Sequence, residues 1–352
     1  MAQITFNNIG IKAIAACVPP KIIYNKDLGY LIPEEDIEKT INSIGIRERR
    51  EAEADVCSSD LCFKAAEKLI ADNNIDKSTI DALIFVSQTP DYRQPATAMR
   101  LQHRLGLPTS TLAFDINMAC SGYVYGLSVA FAYANIVGIN NVLLLVGETM
   151  SKTISKKDKN TTPLFGDAGT ASLIGKNENF GNAYFMLNSD GEGADVLQIP
   201  FGGYRNISCA EGLQETTDSE GNTRTGEQLK MQGMDVFNFG LRVVPKSIKE
   251  IIEYAQSNID EIDIILFHQA NKFMTDFFAK KLKFPLDKVP YSLQYFGNTS
   301  AASIPLNVVS ELQQPDYQQR KNVIMAGFGA GLSWGTCLLS LEQTSISKLI
   351  EY

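Results

Sequence analysis

The chain has 352 residues, 44% of them apolar and 20% charged, with a formal net charge of −8 at neutral pH. That length suggests two domains or one large one around a substantial core. The acidic balance argues against a general nucleic-acid binder, although a local basic patch can still dock an acidic partner.

The first 20 residues carry an apolar stretch after Gly10, with no basic region before it and Lys12 interrupting it, which predicts a strand and not a signal peptide. No window approaches the ~18–20 uninterrupted apolar residues of a membrane span. The six cysteines (Cys17, Cys57, Cys62, Cys120, Cys209 and Cys337) lack metal-type spacing and read as reduced thiols of a cytoplasmic protein. Residues 58–73, SSDLCFKAAEKLIADN, have helical periodicity, and 82–88, ALIFVSQ, read as a strand ending in polar residues. His103, beside arginines in a helical pattern, reads as a surface or structural residue.

Cys120 stands in 113-AFDINMACSGYVYGLSVA-130, after a short apolar run and at the start of a small, apolar, helix-like stretch. A thiol at a helix N-terminus faces unpaired N–H groups and the positive end of the macrodipole, and both favour thiolate. A small buried hydrophobe is the alternative. Apolar runs follow at 141–148 and 165–175, and the polar stretch 206–230 reads as a surface excursion. A helix is expected over 244–258 and a strand over 263–269, DIILFHQ. His268 then sits on a polar turn after a buried strand, a common place for catalytic groups in α/β folds, or else serves as a satisfied structural histidine. Asn298, in 296-FGNTSAAS-303, opens a helix start. Its amide either caps that helix or donates to an anionic oxygen. The glycine loop 327-GFGAGLSWG-335 is neither a phosphate-binding nor a dinucleotide fingerprint, but it allows main-chain N–H groups close to a reacting carbonyl.

Four features recur in the same order. The stretches 82–88, 112–122, 141–148 and 165–175 parallel 263–269, 289–303, 322–329 and 331–341. Ser87 and Cys120 are 33 residues apart, and their counterparts His268 and Asn298 are 30 apart. This indicates a duplicated α/β unit with helices on both faces of buried sheets. The expected halves are 1–180, carrying Cys120, and 181–352, carrying His268 and Asn298. A pseudo-twofold axis would bring their loops to one cleft.

Together AFDINMACSG, FHQAN, GNTSAAS and GFGAGLSWG, with 45-GIRER-49, 164-LFGDAG-169 and 229-LKMQGMDVFNF-239, resemble ketoacyl-acyl-carrier-protein synthase III of the thiolase superfamily over nearly the whole chain. The resemblance implies a five-layered α-β-α-β-α fold, a homodimer and a two-stage decarboxylating Claisen condensation. Cys120 would take the acyl group from a thioester. His268 and Asn298 would bind the malonyl thioester oxygen. The main-chain N–H groups of Cys120 and Ala330 would form an oxyanion hole. It implies no metal and no cofactor beyond the thioester substrates, and acyl carrier protein as partner. A second catalytic histidine, a second cysteine in the glycine loop and a glutamate in VSQTPDY, marks of other relatives, are missing.

Some positions depart from that pattern. The tryptophan and arginine that often hold CoA adenine before GIRER are absent from 36-DIEKTINSI-44, which points to a carrier-bound donor or to CoA bound differently. Gln94 stands where a bulky apolar residue often lines the partner's acyl pocket. Phe273 replaces an arginine that docks carriers, and Lys272, Lys280, Lys281 and Lys283 offer a substitute patch or a solvated face. Competing readings are an acyltransferase that uses acyl-Cys120 without decarboxylation, and a non-catalytic subunit of a condensing pair.

Overall fold

Along the strand Ile80–Val86, side chains alternate between two apolar layers. Ala82, Ile84 and Val86 face one core, and Leu83 and Phe85 face another. Cover on both faces explains the continuous apolar run. The structure is a computed structural model that describes residues 2–317 and 319–352. In it this strand runs parallel to Leu112–Ile116 and Asn141–Thr149, and the sheet continues antiparallel through Asp167–Lys176 to Ile9–Val18. In a second sheet Ile264–Phe267 runs parallel to Val323–Gly329. Ser333–Leu339, Asn182–Ser189 and Ala2–Asn7 follow antiparallel. Four strands of each sheet therefore match in order and direction, as a duplication requires. The match is incomplete, because residues 289–292 form no strand to mirror Leu112–Ile116.

The 180/181 boundary falls in the turn before Asn182–Ser189, but the chain's ends cross it. Asn8, at φ 59°, switches the chain from Ala2–Asn7 at the edge of the second sheet to Ile9–Val18 in the first. Asparagine tolerates that left-handed conformation. At the other end Ser345–Ile346 and Ile350–Glu351 pair with Ile9–Val18, covering an edge that would otherwise expose unpaired backbone groups.

The helices are α1 (Glu34–Ile44), α2 (Ser58–Asp72), α3 (Thr97–Arg104), α4 (Gly122–Asn135), α5 (Gly233–Tyr254), α6 (Lys272–Leu282), α7 (Leu293–Phe296) and α8 (Ser303–Glu311). Helices α2 and α3 cover the outer face of the first sheet, α5 and α6 that of the second, and α4 and α8 fill the space between. These are the five layers expected. Helix α4 is apolar nearly all round because it is enclosed by both sheets. Gly126 permits its approach, since an added Cβ would come within 2.7 Å of Val86.

Helix α5 starts 11 residues before the expected 244 and runs through Pro245. Proline cannot donate to the carbonyl four residues back. That carbonyl, Leu241, instead accepts from Lys281 Nζ at 3.2 Å, so the neighbouring helix compensates the break. The excursion over 206–230 is largely exposed, and Arg224 ties it to the body by pairing with the buried Asp158 at 2.8 Å and with Asp218. All six cysteines are free. Among the described residues no helix is long and apolar enough to cross a membrane.

Candidate active site

Cys120 lies in the turn between Leu112–Ile116 and α4 and is buried. The glycine loop of the second half passes directly against it: a Cβ on Gly329 would fall 2.6 Å from Cys120 Cβ, so only glycine fits. That approach brings Ala330 beside the thiol, and the main-chain N–H groups of Cys120 and Ala330 both bear on the sulfur. Two buried hydroxyls brace the loop. Ser333 donates to the Ala330 carbonyl at 3.0 Å, and Ser121 lies 2.7 Å from Ser333 Oγ.

His268 follows Ile264–Phe267, its backbone N–H donating to Ala326 O at 2.8 Å and its ring set edge-on against Phe328. Asn298 sits between α7 and α8. First-half residues hold its backbone: it donates to Leu164 O at 2.8 Å and accepts from Gly166 N at 3.1 Å.

Ser300 joins these groups, although sequence reading did not single it out. Its hydroxyl lies 3.7 Å from Cys120 Sγ, and its N–H donates to Asn298 Oδ1 at 2.9 Å. Its main chain faces the His268 ring. It is buried at φ 51°, a left-handed conformation that is costly for a non-glycine residue and tends to mark functional sites. Only its place two residues after Asn298, where an Asx turn bonds, hinted at this. With Oδ1 occupied as a cap, Asn298 keeps Nδ2 as a donor.

The electrostatics differ from the expected low thiol pKa. Burial pushes the Cys120 thiol up to about 11, against the pull of Ser300 and the two N–H groups, while buried Glu148 adds to the rise. Helix α4 begins two residues beyond Cys120, with Ser121 at the cap position, so desolvation outweighs the helix start. Burial also holds His268 down to about 3, with the Ser300 main chain pulling the other way. The imidazole is therefore neutral near pH 7. Glu148, fully buried, is raised to about 7 by desolvation despite bonds from Thr89, Gln88 and Ser87.

Removing the Ser300 hydroxyl removes a donor to the thiolate. Ser300→Ala is expected to move the midpoint for iodoacetamide labelling of Cys120 to higher pH by about one unit, since a hydrogen bond to a charged group is worth roughly 1.5–3 kcal/mol. Peptide mass spectrometry separates Cys120 from the exposed Cys209. An unmoved midpoint means the hydroxyl does not stabilise the thiolate.

The site opens on a cavity of about 630 Å³ lined by Cys120, Ser300 and Ala330 together with apolar groups that include Met150, Phe165 and Leu332. His103 is exposed in the last turn of α3. The four lysines divide. Lys272 pairs with Asp276, and Lys281 serves the Leu241 carbonyl, while Lys280 and Lys283 are exposed. The adjacent α5 adds exposed Arg242, Lys246 and Lys249, which sequence reading missed because the pairing of α5 with α6 is tertiary. Among the described residues no group of three or more His, Cys, Asp and Glu side chains is placed to hold a metal ion.

Residues 114–191 match the family described as 3-oxoacyl-[acyl-carrier-protein (ACP)] synthase III, and residues 252–341 match its C-terminal counterpart. The chain is 37% identical to a putative 3-oxoacyl-[acyl-carrier-protein] synthase 3 of Campylobacter jejuni, covering 99% of this chain and 98% of that protein. It is 33% identical to a beta-ketoacyl-[acyl-carrier-protein] synthase III of Rhodopirellula baltica over 94% of this chain and 97% of the other. A crystal structure of a 3-oxoacyl-(acyl-carrier protein) synthase from Burkholderia xenovorans superposes with a TM-score of 0.93 at 38% identity, covering 100% of this chain and 99% of that one.

Proposed function

The chain belongs to the 3-oxoacyl-acyl-carrier-protein synthase III family, with its thiolase-like five-layered fold, and from that membership we propose that it condenses an acyl thioester with malonyl-acyl-carrier protein, losing CO2, to form a β-ketoacyl thioester. The observation that carries this reading is the meeting of Cys120, His268, Asn298 and the Ala330 loop around Ser300.

In the first stage the Cys120 thiol exchanges with the acyl thioester. A new S–C bond forms at Cys120, the donor's S–C bond breaks, and the thiol proton ends on the departing thiol. The N–H groups of Cys120 and Ala330 hold the tetrahedral oxygen. In the second stage neutral His268 and the Asn298 amide donate to the malonyl thioester oxygen. The C–CO2 bond breaks, and its electron pair becomes an enolate stabilised by those donors. The enolate carbon attacks the acyl carbonyl, a C–C bond forms as the S–C bond to Cys120 breaks, and the departing thiolate takes a proton from solvent water. Burial keeps His268 neutral, and the neutral ring still carries one N–H that can donate to the substrate oxygen.

A cavity of about 630 Å³ exceeds the needs of an acetyl group and has room for a larger starter with part of its pantetheine arm. The donor is carrier-bound or a CoA ester held without the usual aromatic clamp, since 36–44 fold into α1 with acidic residues in its first turn. The protein works as a homodimer, as the family resemblance implies. Intact mass after incubation with a panel of acyl thioesters, then malonyl carrier, tests the reading. Acyl uptake followed by β-ketoacyl product supports it. Uptake without decarboxylation indicates an acyltransferase, and no uptake a non-catalytic subunit.

The acidic carrier docks on the basic face of α5 and α6, where Lys280 and Lys283 form no ion pair among the described residues, and where exposed Lys249 and Lys246, the latter paired with Glu250, lie on the neighbouring helix. On a chain of net charge −8, a local positive patch must steer it. Lys280→Glu combined with Lys283→Glu is expected to raise KM for malonyl carrier several-fold at low salt and leave Cys120 alkylation unchanged. Because exposed charges are screened within about 10 Å at 0.1 M salt, raising ionic strength should weaken the wild-type enzyme in the same direction. Unchanged carrier kinetics would reduce the patch to a solvated face.

A further inference from the structure

Ser303, the first residue of α8, is fully enclosed, and its Oγ lies 2.7 Å from His268 Nδ1 and 3.4 Å from the backbone nitrogen of Gln269. The Gln269 N–H can only donate, so the hydroxyl oxygen accepts there. The hydroxyl's own proton then has one acceptor in reach among the described residues, Nδ1. A ring nitrogen that accepts is unprotonated, so the neutral imidazole carries its proton on Nε2.

We propose that Ser303 is a positioning residue that locks His268 in the Nε2–H tautomer. The proposal rests on the reading of His268 as a donor to the substrate oxygen and supplies what that reading needs. The opposite tautomer would turn a lone pair, instead of an N–H, toward the developing negative charge. The Phe328 ring, edge-on at 5.3 Å, limits how the imidazole can tilt but cannot choose between the tautomers. The hydroxyl makes that choice.

The chain has only two histidines, so ¹⁵N-histidine labelling gives two ring spectra, and His103→Gln assigns them. The expected wild-type result is a single Nε2–H tautomer for His268. In Ser303→Ala the spectrum should shift toward a mixture. The decarboxylation kcat should then fall about tenfold or more, bounded by the ~10²–10³-fold loss of a complete oxyanion donor. KM should change less, and acyl transfer to Cys120 should persist. Ser303→Thr keeps the hydroxyl and should keep both the tautomer and most of the rate. An Nδ1–H form in the wild type overturns the proposal, as does an unchanged spectrum and rate in Ser303→Ala. If the tautomer shifts but decarboxylation is normal in both Ser303→Ala and His268→Ala, the lock stands and the donor role of His268 fails.

Discussion

Cys120→Ala is expected to take up no acyl group from any thioester and to form no condensation product, whereas the wild type gains the acyl mass on Cys120 alone. The other five thiols offer no substitute. Cys17, Cys62 and Cys337 are buried with strongly raised pKa, Cys57 is raised as well, and exposed Cys209 lies in the excursion over 206–230. None of these five is braced by the Ala330 loop. The effect is a loss of the first stage and not a reduction, because the covalent intermediate has no other anchor. The pH dependence follows from the raised thiol. The thiolate fraction in the free enzyme climbs toward about pH 11, so alkylation of Cys120 should keep rising through the alkaline range. An acyl-enzyme signal in the alanine variant equal to the wild type would sink the assignment.

His268→Ala and Asn298→Ala are expected to split the two stages. Both variants should still form acyl-Cys120, because the N–H groups that bear on the sulfur belong to Cys120 and Ala330. Each should decarboxylate malonyl thioester about 10²–10³ times more slowly, the usual cost of one oxyanion donor. Asn298→Ala also frees the Ser300 N–H held at 2.9 Å, so its loss should be accompanied by some loosening of the Ser300 turn. With His268 held near 3, its protonation lies far below the working range. Between pH 5 and 8 the decarboxylation rate of the wild type should show no limb from this histidine. CO2 release and acylation, measured separately, decide the point. Normal decarboxylation in both variants refutes the donor roles.

The layers and the duplication were legible because strand alternation and helical periodicity are written locally, and a strand covered on both faces must be apolar throughout. The terminal exchange was not. Ala2–Asn7 and Ile9–Val18 read as one continuous stretch, and the left-handed Asn8 between them turns the chain from one sheet to the other. The four lysines after His268 looked equivalent in one dimension. They separated only when Pro245 left the Leu241 carbonyl for Lys281 and Asp276 claimed Lys272.

By itself the sequence singled out the chemical groups of the candidate site: a thiol, an imidazole, an amide and a glycine loop, each in a motif whose small residues allow close approach. Tertiary structure decided how those groups are tuned. The sign of the Cys120 shift depends on desolvation, which no spacing measures, and it overrode the helix-start expectation. The serines depend on contacts across the fold, with Ser300 meeting a thiol 180 positions away and Ser303 an imidazole 35 positions away. A hydroxyl's role lies in what it faces, and only the packed layers set that direction.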